Sequence, residues 1–218
     1  MTRSSRFPVI LSAPSGAGKT SIARRLLERR ADLGYSVSCT TRPARDGEVD
    51  GRDYRFLTRD AFDTAVMAGE FAEWAEVHGN LYGTLRSEVE RVLASGQHVL
   101  MDIDVQGARQ FANAFPETVL VFVLPPSGEV LKSRLSGRGS ENTERLLTRL
   151  RNAREELNEV GRYHYVVIND DLERAVDQVS VIIDAEGLRH ARVQAIEAQV
   201  EALIAQLERE IKDYSEES

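Results

Sequence analysis

The sequence is short of the features that would place it outside the cell or across a membrane. It has one cysteine, Cys39, so no internal disulfide can form, which fits a reducing compartment. No apolar run approaches the roughly 20 residues that a membrane-spanning helix needs. Residues 1–6 are polar and lack the apolar stretch of a signal peptide. A cytoplasmic protein with no membrane partner is expected. Basic charge is scarce as well. Lys and Arg total 28 against 35 Asp and Glu, and the net charge of −7 argues against nucleic acid as a partner. His78, His98, His164 and His190 show no metal-ligand spacing, and there are no repeats or low-complexity linkers.

What is there reads as one α/β domain: 218 residues, 42% apolar and 29% charged, are enough to bury a core. Apolar runs at 7–12, 98–101, 119–124 and 165–168 have the near-continuous hydrophobicity of buried parallel strands. Helical periodicity lies between them, over 20–30, 105–113, 127–136 and 144–159. Strand alternating with helix predicts a parallel sheet covered on both faces. Two stretches break the alternation. Residues 38–84 are polar and arginine-rich, with short strands near 54–57 and 71–78, and read as an inserted lobe. Residues 137–144 read as a loop flanked by basic helices. A last helix is expected over about 188–212, with Val193, Ile196, Val200, Leu203 and Leu207 as one apolar stripe. The stripe suits packing on its own domain or a homodimer seam, and a repeat of barely three heptads favours the first.

Between the first strand and the first helix lies Ala13-Pro14-Ser15-Gly16-Ala17-Gly18-Lys19-Thr20. It matches the phosphate-binding loop pattern at every defined position but the first. Small residues let backbone N–H groups close around a phosphate. Lys19 brings a mobile charge to the β- and γ-phosphates, and Thr20 offers a hydroxyl to Mg²⁺. The helix that starts here adds its positive end. Ala13 stands where the pattern has glycine, and its Cβ forbids free use of positive φ. Such a loop indicates a nucleotide without naming the reaction. Its usual companion is an apolar strand ending in a metal-holding acid, and residues 98–102 supply one in Asp102. Asp104, two residues on, is equally placed to cap the helix that follows.

The inserted lobe is more specific. Ser38-Cys39-Thr40-Thr41-Arg42-Pro43-Ala44-Arg45 runs on through Glu48, Gly51, Asp53 and Tyr54. Glu73-Trp74, Asn80-Leu81-Tyr82-Gly83-Thr84 and Asp102-Ile103-Asp104-Val105-Gln106-Gly107 follow, then Arg134, Arg138, Arg149 and Asn169-Asp170. In order and spacing these motifs resemble the bacterial guanylate kinases, and the resemblance extends from Pro8 to about Asp184.

The resemblance implies a P-loop NTPase-type parallel sheet flanked by helices. It implies a core at 6–37, 96–131 and 155–186, a GMP-binding lobe at 38–95, a helical lid at 132–154 and a C-terminal helix at 187–213. The implied reaction moves the γ-phosphoryl group of ATP, with Mg²⁺, to GMP, giving ADP and GDP, with dGMP as a second acceptor, in purine nucleotide metabolism and GMP recycling. Lys19, Arg134, Arg138 and Arg149 would be catalytic, Thr20 and Asp102 would serve the metal, and Asn169 would touch the adenine. GMP would be bound by Ser38, Arg42, Arg45, Tyr54, Glu73, Tyr82, Thr84 and Asp104.

The chemistry of the residues is consistent with that. Arginine forks match a phosphate bidentately and phenols complete its shell, although a lone arginine-rich loop would read as solvated. A carboxylate accepts both guanine donors at once, which is the role the resemblance gives Glu73; by itself Glu73 reads as an ordinary strand-face acid. Residues 132–154 carry seven basic side chains (Lys132, Arg134, Arg138, Arg145, Arg149, Arg151 and Arg154) against Glu141 and Glu144. Charge of that sign stabilises a transferring phosphoryl group. Two rivals fit less well. A non-catalytic scaffold module of this kind would have no use for Lys19, Thr20 and the lid arginines, and a sugar-phosphate kinase would not need Ser38, Glu73 and Thr84.

Overall fold

A computed structural model describes residues 5–77, 79–136 and 143–216. Arg6–Ile182 form one compact unit; the segment from Ile183, with Ser5, forms a second. The first is built on a five-stranded sheet whose neighbouring strands all pair in parallel. From edge to edge its strands are β2 (Leu33–Tyr35), β7 (His98–Asp102), β1 (Pro8–Ser12), β8 (Val119–Leu124) and β9 (Tyr165–Ile168). All five residues of β1 are buried, so both faces of the sheet centre are covered, as the near-continuous apolar run requires. On one face Ile10, Val99, Met101 and Leu120 pack with Val89 and Val92 of α3 (Arg86–Ala94) and with Ala108 and Phe111 of α4 (Val105–Ala114). α1 (Lys19–Arg29) packs against β1, β2 and β7 and buries Ile22, Ala23 and Leu26.

The expected inserted lobe contains a second sheet, ordered β4 (Arg55–Phe56), β3 (Cys39–Thr40), β6 (Asn80–Leu85), β5 (Phe71–Val77). β5 and β6 form an antiparallel hairpin. Its small core stacks Phe62, from α2 (Arg59–Met67), on Phe71 with ring centroids 4.3 Å apart, beside Cys39 and Leu81. Gln110 clips the edge strand β5 to α4. Its carboxamide accepts from Trp74 N–H and donates to Trp74 O, at 3.2 and 3.0 Å.

Two helices follow β8. α5 (Gly128–Ser136) and α6 (Thr143–Leu157) meet through Leu131, Leu135 and Ala153. α7 (Leu172–Gly187) comes next. The last helix, α8, spans Ile196–Glu216, so it starts eight residues later than the periodicity suggests. A 3₁₀ turn at His190–Arg192 intervenes, and Ala195 takes φ 57°, a left-handed conformation that stops helix from propagating backwards. The turn returns Arg192 to Glu186, 3.2 Å away, with both side chains buried. The apolar side chains of α8 are exposed, from Val200 at 46% to Tyr214 at 70%. Among the described residues no helix is long and apolar enough to cross a membrane.

Candidate active site

Because β1 ends at Ser12, the chain leaves the sheet at its carboxyl edge and must turn at once into α1. Gly16 and Gly18 make that turn at φ 87° and 97°. Ala13 has no positive φ, so its Cβ introduces no strain into the loop. Gly18 also occupies the N-cap position of α1, with no side-chain cap and no acid in the first turn. The helix N-terminus is therefore an uncompensated positive end, suited to an anion.

The loop opens onto a cavity of about 660 Å³ lined by Ala13 to Gly16, Gly18, Lys19, Thr20, Asp104, Arg134, Glu156 and Asn169. Arg134 of α5 reaches two backbone carbonyls, Ala17 O at 3.4 Å and Asn169 O at 3.2 Å. Arg149 of α6 reaches Leu135 O at 2.9 Å and the Ser15 hydroxyl at 3.3 Å. Asn169, buried at the end of β9, donates its amide to Ala17 O at 2.7 Å. It braces the loop from beneath, and a Cβ on Gly18 would lie 2.3 Å from that amide nitrogen. Arg138 lies outside the described residues, as does His78.

Asp102 stands at the end of β7, in register with Leu11 of β1. Thr20 Oγ1 donates to its Oδ2 at 2.6 Å. A hydroxyl and a carboxylate held together beside a phosphate-binding loop are hard oxygen donors of the kind Mg²⁺ accepts alongside phosphates and water. Asp104 caps α4, its Oδ1 accepting from Gly107 N–H at 2.8 Å, and it also faces both cavities.

A second cavity, about 360 Å³, lies between the two sheets. Ser38, Tyr54, Glu73, Tyr82, Asp102 and Asp104 line it, with Lys19 and Thr20 at the end it shares with the first. Glu73 is 7% exposed and lies opposite Thr84 across β5 and β6. Thr84 donates to it at 2.6 Å, and the Ser38 hydroxyl is 3.5 Å from Thr84 Oγ1. Gly107 permits the approach of α4, because a Cβ there would sit 2.9 Å from Glu73 Oε2. Burial pushes the Glu73 carboxyl up to about 7, against the lowering effect of the Thr84 bond and with a further upward push from Asp104. An acid that is costly to leave unpaired in such a place awaits donors.

The lobe arginines are placed differently from one another. Arg42 is forked onto Glu48 and stands over the Tyr54 ring at 5.5 Å, whereas the Arg45 side chain is exposed. Sequence reasoning gave no role to three groups here. Glu48 holds Arg42. Tyr35 donates to Asp102 Oδ1 at 3.3 Å. Glu156 of α6 accepts from Ser15 N–H at 3.2 Å, and burial raises its pKa. None belongs to a local motif of phosphate chemistry. Their partners are 67 and 141 residues away for Tyr35 and Glu156, so only the assembled fold exposes the connection.

A parallel sheet, a glycine loop running into a bare helix N-terminus and an acid ending the neighbouring strand define a P-loop NTPase fold, with two cavities side by side. Comparison with known proteins narrows the class. The family model described as guanylate kinase matches residues 5–186. A guanylate kinase of Syntrophotalea carbinolica is 48% identical over 85% of this chain and 89% of its own length. One from Symbiobacterium thermophilum is 47% identical over 90% and 92%. The crystal structure of guanylate kinase from Anaplasma phagocytophilum superposes with a TM-score of 0.75 at 36% identity, covering 92% of this chain and 96% of that one. The chain belongs to the guanylate kinase family, and it is a kinase.

Proposed function

We propose that the chain transfers the γ-phosphoryl group of ATP to GMP, and to dGMP, giving ADP and the nucleoside diphosphate. The observation that carries this reading is the shared wall. Lys19, Thr20 and Asp104 line both cavities, so a triphosphate on the loop and a monophosphate in the lobe would present their phosphates to one another there. Proximity of that kind supplies much of the rate of a group transfer.

Backbone N–H groups of the loop from Ser15 to Thr20 cradle the β-phosphate, that of Ser15 once it is released from Glu156, and Lys19 follows the charge that develops on the γ-phosphoryl group. Thr20 and Asp102 would hold Mg²⁺, whose contribution when bound is to neutralise charge across the β- and γ-phosphates. Arg134 and Arg149, with Arg138, compensate the remaining charge. Glu73 accepts the guanine N1–H and exocyclic amine, Thr84 and Ser38 fix its orientation, and Asp104 completes the edge. Arg42, Arg45, Tyr54 and Tyr82 hold the GMP phosphate, whose oxygen attacks the γ-phosphorus in line as the bond to the ADP oxygen breaks. That oxygen is already ionised at neutral pH, so no general base is needed. Asn169 is assigned to the adenine end of the donor. A single cysteine and the charged composition support a cytoplasmic setting. The exposed apolar face of α8 supports a homodimer through that helix.

The test is ADP release from Mg·ATP with GMP, AMP, CMP or UMP offered singly. Turnover with GMP alone is expected; equal turnover with all four would overturn the assignment of Glu73.

A further inference from the structure

Arg42 does not wait in solvent for a phosphate. Its Nη1 and Nη2 donate to the two carboxylate oxygens of Glu48, at 3.0 and 2.8 Å, a fork-to-fork pair. The two side chains are 12% and 20% exposed. The same carboxylate accepts from Arg45 N–H at 2.8 Å, and Glu48 N–H returns to Arg45 O at 3.0 Å. One acid thereby closes the turn that carries both arginines of the lobe. The guanidinium lies over the rings of Tyr54 and Phe56, at 5.5 and 5.9 Å, and Tyr54 lines the 360 Å³ cavity.

A guanidinium has two bidentate edges, its Nη1/Nη2 end and its Nε/Nη2 side. Glu48 takes the end, Nη1 also donates to Pro43 O at 2.7 Å, and a second anion would meet the side edge beside Tyr82, whose side chain is a further hydrogen-bond partner of Arg42. We infer that Glu48 is a positioning residue, which fixes Arg42 against Tyr54 so that the guanidinium meets the acceptor phosphate by its side edge. The inference rests on the assignment of GMP to this lobe. A carboxylate so close to an incoming phosphate opposes binding by charge. It helps only because it has already removed the rotamer freedom of a long side chain, a cost otherwise met at binding.

The experiment measures GMP and guanosine affinities by calorimetry, with steady-state kinetics, for the full chain and for Glu48→Gln, Arg42→Ala and the double variant. Guanosine carries the base without the phosphate. In Glu48→Gln the Kd and KM for GMP should rise about tenfold, while kcat, the KM for ATP and the Kd for guanosine stay within about twofold. On the Arg42→Ala background Glu48→Gln should change nothing further. Glu48→Asp, which keeps the charge, should fall between, and it serves as the second variant if Glu48→Gln fails to fold. An unchanged GMP affinity, an equal loss for guanosine, or additive losses in the double variant would overturn the role of Glu48 while leaving GMP as substrate. Absence of GMP binding to the unaltered chain would overturn both.

Discussion

Thr84 Oγ1 donates to Glu73 Oε1 at 2.6 Å, across a hairpin in which the two residues stand directly opposite. The pair sets the electrostatics of the acceptor cavity. Glu73 is buried and lifted to about 7, yet the proposed reading of guanine needs its ionised form. kcat/KM for GMP should therefore fall about tenfold per pH unit below pH 7, whereas affinity for ATP alone should not follow this titration. Glu73→Gln should lower kcat/KM for GMP roughly 10²–10³-fold and abolish that acid limb. A pH profile of the unaltered chain and the variant checks both.

The same shift has a consequence for stability. The folded state holds the Glu73 proton more tightly than the unfolded chain does. This contribution is fully present below the ordinary carboxyl pKa of 4.5 and is lost as pH rises through about 7. Glu73→Gln, neutral at every pH, should gain melting temperature relative to the unaltered chain at pH 8 and show little difference at pH 4.5. Calorimetric scans at the two pH values decide it.

Lys19 is the cation that both cavities share. Lys19→Ala should reduce kcat roughly 10²–10³-fold, the scale of losing one group aimed at developing charge. The circular dichroism spectrum should not change, because the side chain is no part of the core. Single-turnover measurement of ADP formation reads the chemical step directly.

Gly18 and Asn169 form a second test of the loop. Gly18→Ala must put a Cβ at φ 97° and 2.3 Å from the Asn169 amide. A cost of about 1–2 kcal/mol in stability is expected from the backbone alone, with weaker ATP binding as the brace is displaced. Asn169→Ala separates bracing from base contact. Loss of the bond to Ala17 O should weaken ATP and GTP equally, and a selective loss for ATP would assign the amide to adenine.

Homodimerisation through α8 predicts that Leu203→Asp with Leu207→Asp converts a dimer to a monomer in sedimentation velocity. Both positions are more than half exposed, at 53% and 60%, so the fold should tolerate the charges. Kinase activity should persist, since neither residue lines a cavity.

The sequence by itself determined four of the five strands of the main sheet and the loop; the short edge strand Leu33–Tyr35 carries no apolar run and was not legible. Val119–Leu124 and Tyr165–Ile168 are strands with the bounds their apolar runs suggest. The loop motif and Asp102 fall at neighbouring strand ends because strand, turn and helix are local matters of periodicity and glycine. Resemblance to a family singled out Glu73, which local chemistry alone would have left as an ordinary strand-face acid. Only the tertiary structure decided its environment: Glu73 is buried beneath the neighbouring strand β6 and against Gly107 of α4, which lies far along the sequence. It also decided that Glu48 has Arg42 in its grip, that Glu156 sits on Ser15, and that α8 starts at Ile196. The late start of α8 falls at the left-handed Ala195, next to the turn that pairs Arg192 with Glu186, and neither feature is visible to helical periodicity. Apolar spacing records what one element buries, whereas hydrogen bonds between distant segments depend on which surfaces the finished fold brings together.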